Sequence, residues 1–486
     1  MAVYSILLSW HLLCFGRPYA FRQLAHEMAF LVVGLVYGRQ PRPLSTPSEP
    51  LMPHDTPSSS SIVRPLNRSD ARTLTLSALG GALEFYDFVV FVFFAKVLGQ
   101  LFFPANVAPW LAQLQVYGIF AAGYLARPLG GIVMAHFGDK LGRKKMFTLS
   151  VFLMAVPTLA IGLLPTYAQL GLIAPLLLLL LRIVQGIAIG GEVPGAWVFV
   201  AEHAPVGRIG FACAALTCGL TAGILIGSLL AAGISRHYSA DQVLAFAWRI
   251  PFVLGGIFGF VAVWLRRWLS ETPVFAALRE RKQLTQELPL KAVLRGHLVG
   301  VWLSVLVTWM LTAGIVVVIL MTPTLAQTRF HLAPALAFEG SSVAALFLCF
   351  GCLGSGLLVD RIGRGWSLLL GSLALLVTTY ALYLDLAAGG AHFLPLYAIA
   401  GFSVGVVGVV PSVMVAAFPP AIRFTGISFS YNIAYAIFGA ITPPLIGWFA
   451  GKLGPLAPAH YVAITAVVGV VVALYLLGSR RAFYER

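Results

Sequence analysis

Residues 138–145 read GDKLGRKK, and residues 359–364 read VDRIGR. Both stretches contain an aspartate, a basic residue, any residue, a glycine and an arginine in that order, and each follows a long apolar run. Glycine permits a tight turn, while a carboxylate and a guanidinium can form charge-assisted bonds to the end of a neighbouring helix. A loop of this kind that occurs twice indicates a chain built from two related halves.

The composition of the chain indicates that these loops lie at the edge of a membrane. Of the 486 residues, 59% are hydrophobic and 10% are charged, whereas an average soluble protein has about 25% charged residues. These values exclude a soluble enzyme, a disordered regulator and a disulfide-stapled secreted domain. What remains is an integral membrane protein with many spans.

Twelve apolar segments, numbered 1 to 12 in chain order, follow residue 73. One long gap, residues 268–297, divides them into two sets of six and is expected to be a cytoplasmic linker. We therefore predict an all-α membrane protein with twelve transmembrane helices in two six-helix bundles, over residues 74–267 and 298–479. The segments cover 74–101, 113–137, 144–164, 170–201, 210–235, 245–267, 298–322, 335–359, 366–386, 393–417, 425–449 and 458–479.

Basic residues predict the orientation of the segments, because loops rich in Lys and Arg stay in the cytoplasm. The loops after the even-numbered segments, with the C-terminal tail, hold 18 Lys and Arg residues, and the opposite loops hold four. Both ends of the core, residues 52–73 and 480–486, are therefore expected on the cytoplasmic side of the cell inner (plasma) membrane. The net charge of +15 is explained by this bias, so no nucleic-acid partner is expected.

Residues 1–51 fit this scheme less well. Their apolar runs are short, and residues 41–65 are rich in Pro and Ser, which is typical of a disordered link. We expect a peripheral extension, or one wrongly assigned to the chain with Met52 as the true start. An additional anchor or interfacial helix is the alternative.

Charged residues inside the apolar segments are the main functional candidates, because each costs about 2.5–3.5 kcal/mol at the centre of a membrane helix. Segment 1 carries two carboxylates on one face, and segment 4 carries three polar residues within about 80° of one another. We expect them to form a polar cavity in the first half, although pairing that only fixes helix packing is the alternative. The set comprises Glu84, Asp87, Arg127, Arg182, Gln185 and Glu192.

The second half has no arginine that matches Arg182. We therefore expect the first half to handle protons and charge, with Glu339 of the second half as the next candidate. The other side of the substrate is assigned to aromatic and amide side chains, although an aromatic stripe that only packs is the alternative. These side chains are Trp302, Trp309, Tyr431, Asn432 and Tyr435.

Five further motifs, together with the duplicated loop, resemble the major facilitator superfamily and, within it, the metabolite:proton symporters. The resemblance covers the whole core and implies alternating access between two six-helix bundles around a central cavity. The motifs are EFYDF at 84–88, RPLGG at 127–131, RIVQG followed by GGE within 182–192, WRIPF at 248–252 and YN at 431–432.

Two positions depart from the pattern of these symporters. Phe85 stands where a Trp is usual, and Val193-Pro194 stand where Trp-Gly is usual. A proline removes one backbone hydrogen bond from a helix, so we expect a kink in segment 4 near the cavity.

The resemblance and the buried positions together assign roles. Asp87 is expected to carry the proton, with Glu84 and Glu192 tuning it. The substrate is expected to contact Arg127, Arg182, Gln185, Tyr86, Tyr431 and Asn432. A cytoplasmic gate is assigned to the two repeated loops, through Asp139, Lys140, Gly142, Arg143, Asp360, Arg361, Gly363 and Arg364.

The predicted function is a proton-coupled secondary transporter that imports a small polar metabolite across the lipid bilayer. It is expected to act as a monomer, with no cofactor, no metal and no enzymatic activity, and no G-x-x-x-x-G-K-(S/T) loop supports an ATP-driven pump. A mono- or dicarboxylate is favoured over an osmolyte, because osmosensing relatives often continue into a cytoplasmic coiled coil and this chain ends soon after segment 12.

An exporter of drugs or siderophores by proton exchange is the main alternative. Such exporters usually carry a Gly-Pro element in segment 5, which here contains no proline but a ladder of Gly219, Gly223 and Gly227. A non-transporting membrane sensor is the third class, and it would need a soluble input domain.

Overall fold

The computed structural model describes residues 68–104, 106–107, 109–141, 143–205, 207–266, 289–452 and 454–479. Every regular element in these ranges is helical. The extension at 1–51, the tails at 52–67 and 480–486 and residues 267–288 of the linker region lie outside the described residues, so the predictions for them stay predictions.

All twelve predicted segments are mainly helical in the residues that the structure describes, with short breaks at turn residues such as Phe94, Gly171 and Trp248. Segments 1 to 6 are Arg68–Phe93 with Ala95–Phe102, Pro109–Leu141, Arg143–Leu163, Ile173–His203, Ile209–His237, and Ala240–Gln242 with Val243–Ala247 and Arg249–Arg266. Segments 7 to 12 are Leu298–Thr328, Pro334–Ala387 for segments 8 and 9 together, Phe393–Ala417, Arg423–Ala434 with Tyr435–Gly439 and Ala440–Lys452, and Ala457–Gly478. Short helices at Tyr167–Leu170 and Pro289–Gly296 precede segments 4 and 7.

The number of helices long enough to span a membrane can be compared with the twelve predicted spans. Within the described residues, seven helices are long and apolar enough to cross a membrane, or nine if each of the two bent pairs counts as one span. One of the seven holds both segment 8 and segment 9, which meet at Gly363 with φ of +85°. Segments 2 and 3 have shorter apolar cores, Gly118–Met134 and Thr148–Leu163. The all-α fold class is therefore confirmed.

Helices extend beyond the predicted apolar segments at two places. The helix of segment 1 begins at Arg68, so residues 68–73 of the predicted tail are helical. The helix Pro289–Gly296 occupies the end of the predicted linker, where Val293 is buried and its basic residues are exposed. Both extensions have one cause, because the prediction followed apolar runs whereas helices continue into polar turns; the predicted domain bounds stay predictions.

Glycines bring segments 2 and 4 into close backbone contact. A Cβ at Gly186 would overlap the carbonyl of Gly123, and a Cβ at Gly190 would overlap the carbonyl of Arg127. Small residues at such positions allow membrane helices to approach closely. Because both candidate arginines of the first half lie on these two segments, this contact fixes their positions.

Irregular turns interrupt segments 7 and 11. Gly314–Met321 and Tyr435–Gly439 are π-helical, a conformation that is frequent at functional sites. Tyr397 supports the first of them by donating to the carbonyl of Val318 at 2.9 Å. Segment 4, in contrast, continues as one α-helix through Pro194, so the predicted kink does not interrupt it.

Candidate functional site

One buried polar cluster joins segments 1, 3 and 4. The amide nitrogen of Gln185 donates to Asp87 Oδ2 at 2.6 Å and to Thr158 Oγ1 at 2.9 Å. Its amide oxygen accepts from Arg182 Nη1 at 2.9 Å. Arg182 Nη1 lies 3.9 Å from Asp87 Oδ2, so the two buried charges form an ion pair.

The geometry of this ion pair leaves one oxygen of Asp87 available. Asp87 Oδ1 has no hydrogen-bond partner among the described residues. The Arg182 guanidinium lies 4.2 Å from the ring centroid of Phe91 and 5.4 Å from that of Phe120, so its surroundings are apolar on that side. Removing one partner of a buried pair would leave an uncompensated charge. A proton can neutralise Asp87 at Oδ1 without displacing Gln185, which makes the cluster a candidate proton site.

Arg127, the other candidate arginine, lies among three tyrosine rings. Its guanidinium carbon is 4.5 Å from the ring centroid of Tyr435, 5.4 Å from that of Tyr431 and 5.7 Å from that of Tyr124. Cations are attracted to aromatic faces at these distances. Arg127 Nη2 has no hydrogen-bond partner among the described residues, so the side chain keeps a donor for an anionic ligand.

A cavity between the two halves adjoins Arg127. The second half contributes side chains from the two π-helical stretches, so these irregular turns shape that wall. The lining residues are Phe85, Tyr124, Arg127 and Ile189 from the first half and Ile315, Leu320 and Tyr435 from the second.

Asn432 connects the two halves beside this cavity. Its Nδ2 donates to the carbonyl of Gly190 at 2.6 Å, and its Oδ1 accepts a long hydrogen bond from Arg127 Nε at 3.4 Å. Ser428, one turn earlier, donates to the carbonyl of Gly131 at 3.1 Å. Segment 11 therefore closes directly on segments 2 and 4.

The second copy of the repeated loop contacts a helix end, as the sequence suggested for its carboxylate. Asp360 accepts from the backbone N–H groups of Gly210 and Phe211, at 2.9 and 3.1 Å. These groups belong to the first turn of segment 5, whose own N-cap residue, Arg208, makes no side-chain cap. An anion is favourable there because the first N–H groups of a helix lack internal partners.

The other residues of the repeated loops differ in their exposure and in how far the structure describes them. Arg361 is exposed and Arg364 is half-buried, while Gly363 provides the turn between segments 8 and 9. The first copy of the loop is not described at the side-chain level. Asp139, Lys140, Gly142 and Arg143 accordingly lie outside the description, and so does the side chain of Glu84.

Two residues assigned to the site make their contacts elsewhere. The Tyr86 hydroxyl donates to the carbonyl of Pro251 in segment 6 at 2.7 Å, and the residue is not part of the cavity lining. Glu192 is buried against segment 3, where it accepts a short hydrogen bond from Ser150. The Tyr86 hydroxyl therefore faces segment 6, because neighbouring residues of a helix face different directions, and its substrate role stays a prediction.

The aromatic candidates of the second half divide in the same way. Tyr431 lies under Arg127 and packs edge-to-face on Trp197, whereas Trp309 donates to Tyr461 at 3.0 Å and stacks on Phe438. Trp302 and Glu339 are exposed. Of the expected set, only Tyr431, Tyr435 and Asn432 contact Arg127.

Three site residues were absent from the expected set. Tyr124 precedes Arg127 by three residues and Ser428 precedes Asn432 by four, so helical spacing to a candidate could have found both. Thr158 carries no such signal, because it lies on segment 3, which held no candidate.

The helices, the buried charges and the cavity between two halves define a multi-pass membrane transporter. The chain belongs to the Major Facilitator Superfamily, whose family model matches residues 77–443. It is 32% identical over 420 residues to a glycine betaine/proline/ectoine/pipecolic acid transporter of Dickeya dadantii, covering 83% of each chain. It is 31% identical over 422 residues to a proline/betaine transporter of Salmonella typhimurium, covering 83% of this chain and 82% of the other.

Solved structures show the same fold. The proton:xylose symporter XylE bound to 6-bromo-6-deoxy-D-glucose superposes with a TM-score of 0.69 at 18% identity, over 85% of this chain and 96% of the other. FucP in the outward conformation superposes with a TM-score of 0.62 at 15% identity, over 85% and 99%.

These findings settle the general activity and correct the expected substrate. The chain is a secondary transporter of the inner membrane that imports a small polar solute, and it is not an enzyme. The expectation of a mono- or dicarboxylate is not supported, because the relatives are named for betaine and proline. The reasoning from a missing coiled coil concerned a segment outside the transport core and therefore did not report on the substrate.

Proposed function

We propose that the chain is a proton-coupled importer of a compact zwitterion of the glycine betaine and proline class. One observation carries this proposal: the Arg127 guanidinium lies beside the cavity among three tyrosine rings and keeps Nη2 for a ligand. Arginine is suited to binding a carboxylate through two parallel hydrogen bonds. The ammonium group of the same substrate can then form cation–π contacts with the tyrosine rings.

The charges near the cavity favour a zwitterion over a dicarboxylate. Arg182 is paired with Asp87, which leaves Arg127 as the cation that lines the cavity in the described part of the chain. A dicarboxylate would add a second negative charge without a partner, and a buried unpaired charge is costly. A zwitterion adds no net charge.

Asp87 is the proposed proton site. Protonation at Oδ1 leaves Arg182 without a counter-charge, which makes the potential near the cavity more positive and favours binding of the substrate's carboxylate. By linkage, the bound carboxylate favours the protonated form of Asp87 to the same degree. Proton and substrate therefore promote each other's binding, as a symporter requires.

The interface at Asp360 is proposed as the cytoplasmic gate. It joins segment 8 to the first turn of segment 5, and so holds one half against the other. The positive charge of the surrounding loops supports the cytoplasmic assignment.

Uptake into proteoliposomes tests the substrate class. With an inside-alkaline pH gradient, labelled glycine betaine should accumulate, excess unlabelled proline should compete, and succinate should not. Arg127→Gln should raise KM at least about 10-fold, because a charge-assisted pair contributes ~1.5–3 kcal/mol. The matched control is Arg329→Gln, which removes the same charge at an exposed position and should change nothing. Competition by succinate without competition by betaine would overturn the proposal.

A further inference from the structure

Pro194 creates an unusual acceptor in the middle of segment 4. In an α-helix the carbonyl of residue i−4 accepts from the N–H of residue i, but proline has no N–H and its ring crowds that carbonyl. For Pro194 the carbonyl concerned belongs to Gly190. Because segment 4 stays helical through the proline, this buried carbonyl needs a donor from elsewhere.

The other half of the molecule supplies that donor. Asn432 Nδ2 donates to the Gly190 carbonyl at 2.6 Å, and Ser428 Oγ approaches the same oxygen at 3.4 Å. The fit is tight, because a Cβ at Gly131 would overlap Asn432 Nδ2 and lie 2.9 Å from Ser428 Oγ.

The same contact determines which way the Asn432 amide faces. Its nitrogen is used by the carbonyls of Gly190 and Ser428, at 2.6 and 2.7 Å. The amide oxygen is therefore the end that points to Arg127 Nε. If the nitrogen faced Arg127 instead, two donors would meet and the guanidinium would be displaced.

We propose that Pro194 is a positioning residue for substrate binding. By freeing the Gly190 carbonyl it draws the Asn432 amide nitrogen across the interface between the halves, and the amide oxygen then orients the Arg127 guanidinium towards the cavity. This inference rests on the proposed function in one respect, namely that Arg127 holds the substrate's carboxylate.

A double-mutant cycle on betaine uptake tests the inference. Pro194→Ala supplies an N–H to the Gly190 carbonyl and should raise KM about 3- to 10-fold, the loss expected for one hydrogen bond. The kcat should not fall, because the contact between the halves has to break in every transport cycle. Asn432→Ala should raise KM as well, and adding Pro194→Ala to it should have no further effect. Pro444→Ala, at an exposed proline inside segment 11, is the matched control and should leave both parameters unchanged.

Three results would overturn the inference. One is an unchanged KM for Pro194→Ala with a raised KM for Asn432→Ala, and another is multiplication of the two effects in the double variant. Pro194→Gly supplies the same N–H and serves as a second variant, with size-exclusion chromatography as the check on folding. If neither variant folds, Pro194 acts on the helix itself and not on Asn432. Failure of the wild-type protein to take up betaine would instead count against the proposed function, so the two failures are distinguishable.

Discussion

Asp87→Asn removes the one carboxylate of the buried cluster and keeps its shape. In the wild-type protein Gln185 donates to Asp87 Oδ2 at 2.6 Å, and the asparagine oxygen can still accept this hydrogen bond. Arg182 is left without a counter-charge, as in the proposed protonated state of the wild-type protein. The variant should therefore behave as a permanently protonated carrier: it exchanges substrate across the membrane but does not use a pH gradient.

The expected magnitude follows from the number of titratable groups in the cluster. One carboxylate carries one proton per cycle, and a difference of one pH unit corresponds to about 1.36 kcal/mol. For a zwitterion this drives about tenfold accumulation per pH unit, since the substrate itself has no net charge. In Asp87→Asn the ratio of inside to outside substrate should stay near one, while exchange of labelled for unlabelled betaine persists.

Both quantities can be measured on one preparation of proteoliposomes, with valinomycin and equal potassium on the two sides. The control is Asp385→Asn, which removes a carboxylate at the C-terminal end of segment 9 that accepts from the backbone N–H of His392 and lies 3.4 Å from His392 Nδ1. That variant should retain tenfold accumulation. Tenfold accumulation by Asp87→Asn itself would refute the reasoning and move the proton site to another residue.

Two further predictions concern the interfaces between helices. Asp360→Asn keeps one acceptor but loses the charge, and with it about 1–2 kcal/mol of the contact to segment 5. Spin labels at positions 145 and 361 should therefore report a roughly 5- to 30-fold shift towards the state in which the two halves are separated on this side. Unchanged distances between the labels, or the same shift in the exposed control Asp241→Asn, would contradict a gate at Asp360. Gly223→Ala places a Cβ against the Ala82 carbonyl and should lower the free energy of unfolding by about 1–3 kcal/mol, which would be measured as a lower Tm. The control is Gly233→Ala, whose Cβ faces open space and should leave the Tm unchanged. Equal Tm values for the two variants would contradict the packing of segment 5 on segment 1.

The fold could be predicted because membrane helices need long apolar segments, which are visible in the sequence. Apolar runs and the repeated loop gave twelve helices in two sets, and the family model agrees. The boundaries were less predictable, since the helix of segment 1 continues to Arg68 through polar residues that hydropathy excludes. The break between segments 8 and 9 was predictable, in contrast, because the glycine of the repeated loop marks the turn, and Gly363 adopts the left-handed conformation there.

The candidate site was predictable only at positions where a charged or strongly polar residue lies inside an apolar segment. Asp87, Arg182 and Gln185 were found because polar groups inside apolar segments are costly, and the structure brings them together. Thr158 was missed because a threonine in a membrane helix is common and its role depends on a contact 27 residues away. Tyr86 was included as part of the EFYDF motif, whereas only the packing of segment 6 shows that its hydroxyl faces Pro251.

The ion pair between Asp87 and Arg182 also has an electrical consequence. While the pair is intact its charges cancel, so in the proposed cycle the empty carrier reorients without moving this charge through the membrane field. Protonation of Asp87 uncovers the positive charge of Arg182, and the loaded carrier then moves inward with one additional elementary charge. A membrane voltage that is negative inside therefore pulls on the loaded step alone, with about 2.3 kcal/mol per 100 mV. Transport should accordingly be electrogenic, and with equal substrate and equal pH on the two sides the current should reverse its sign with the voltage.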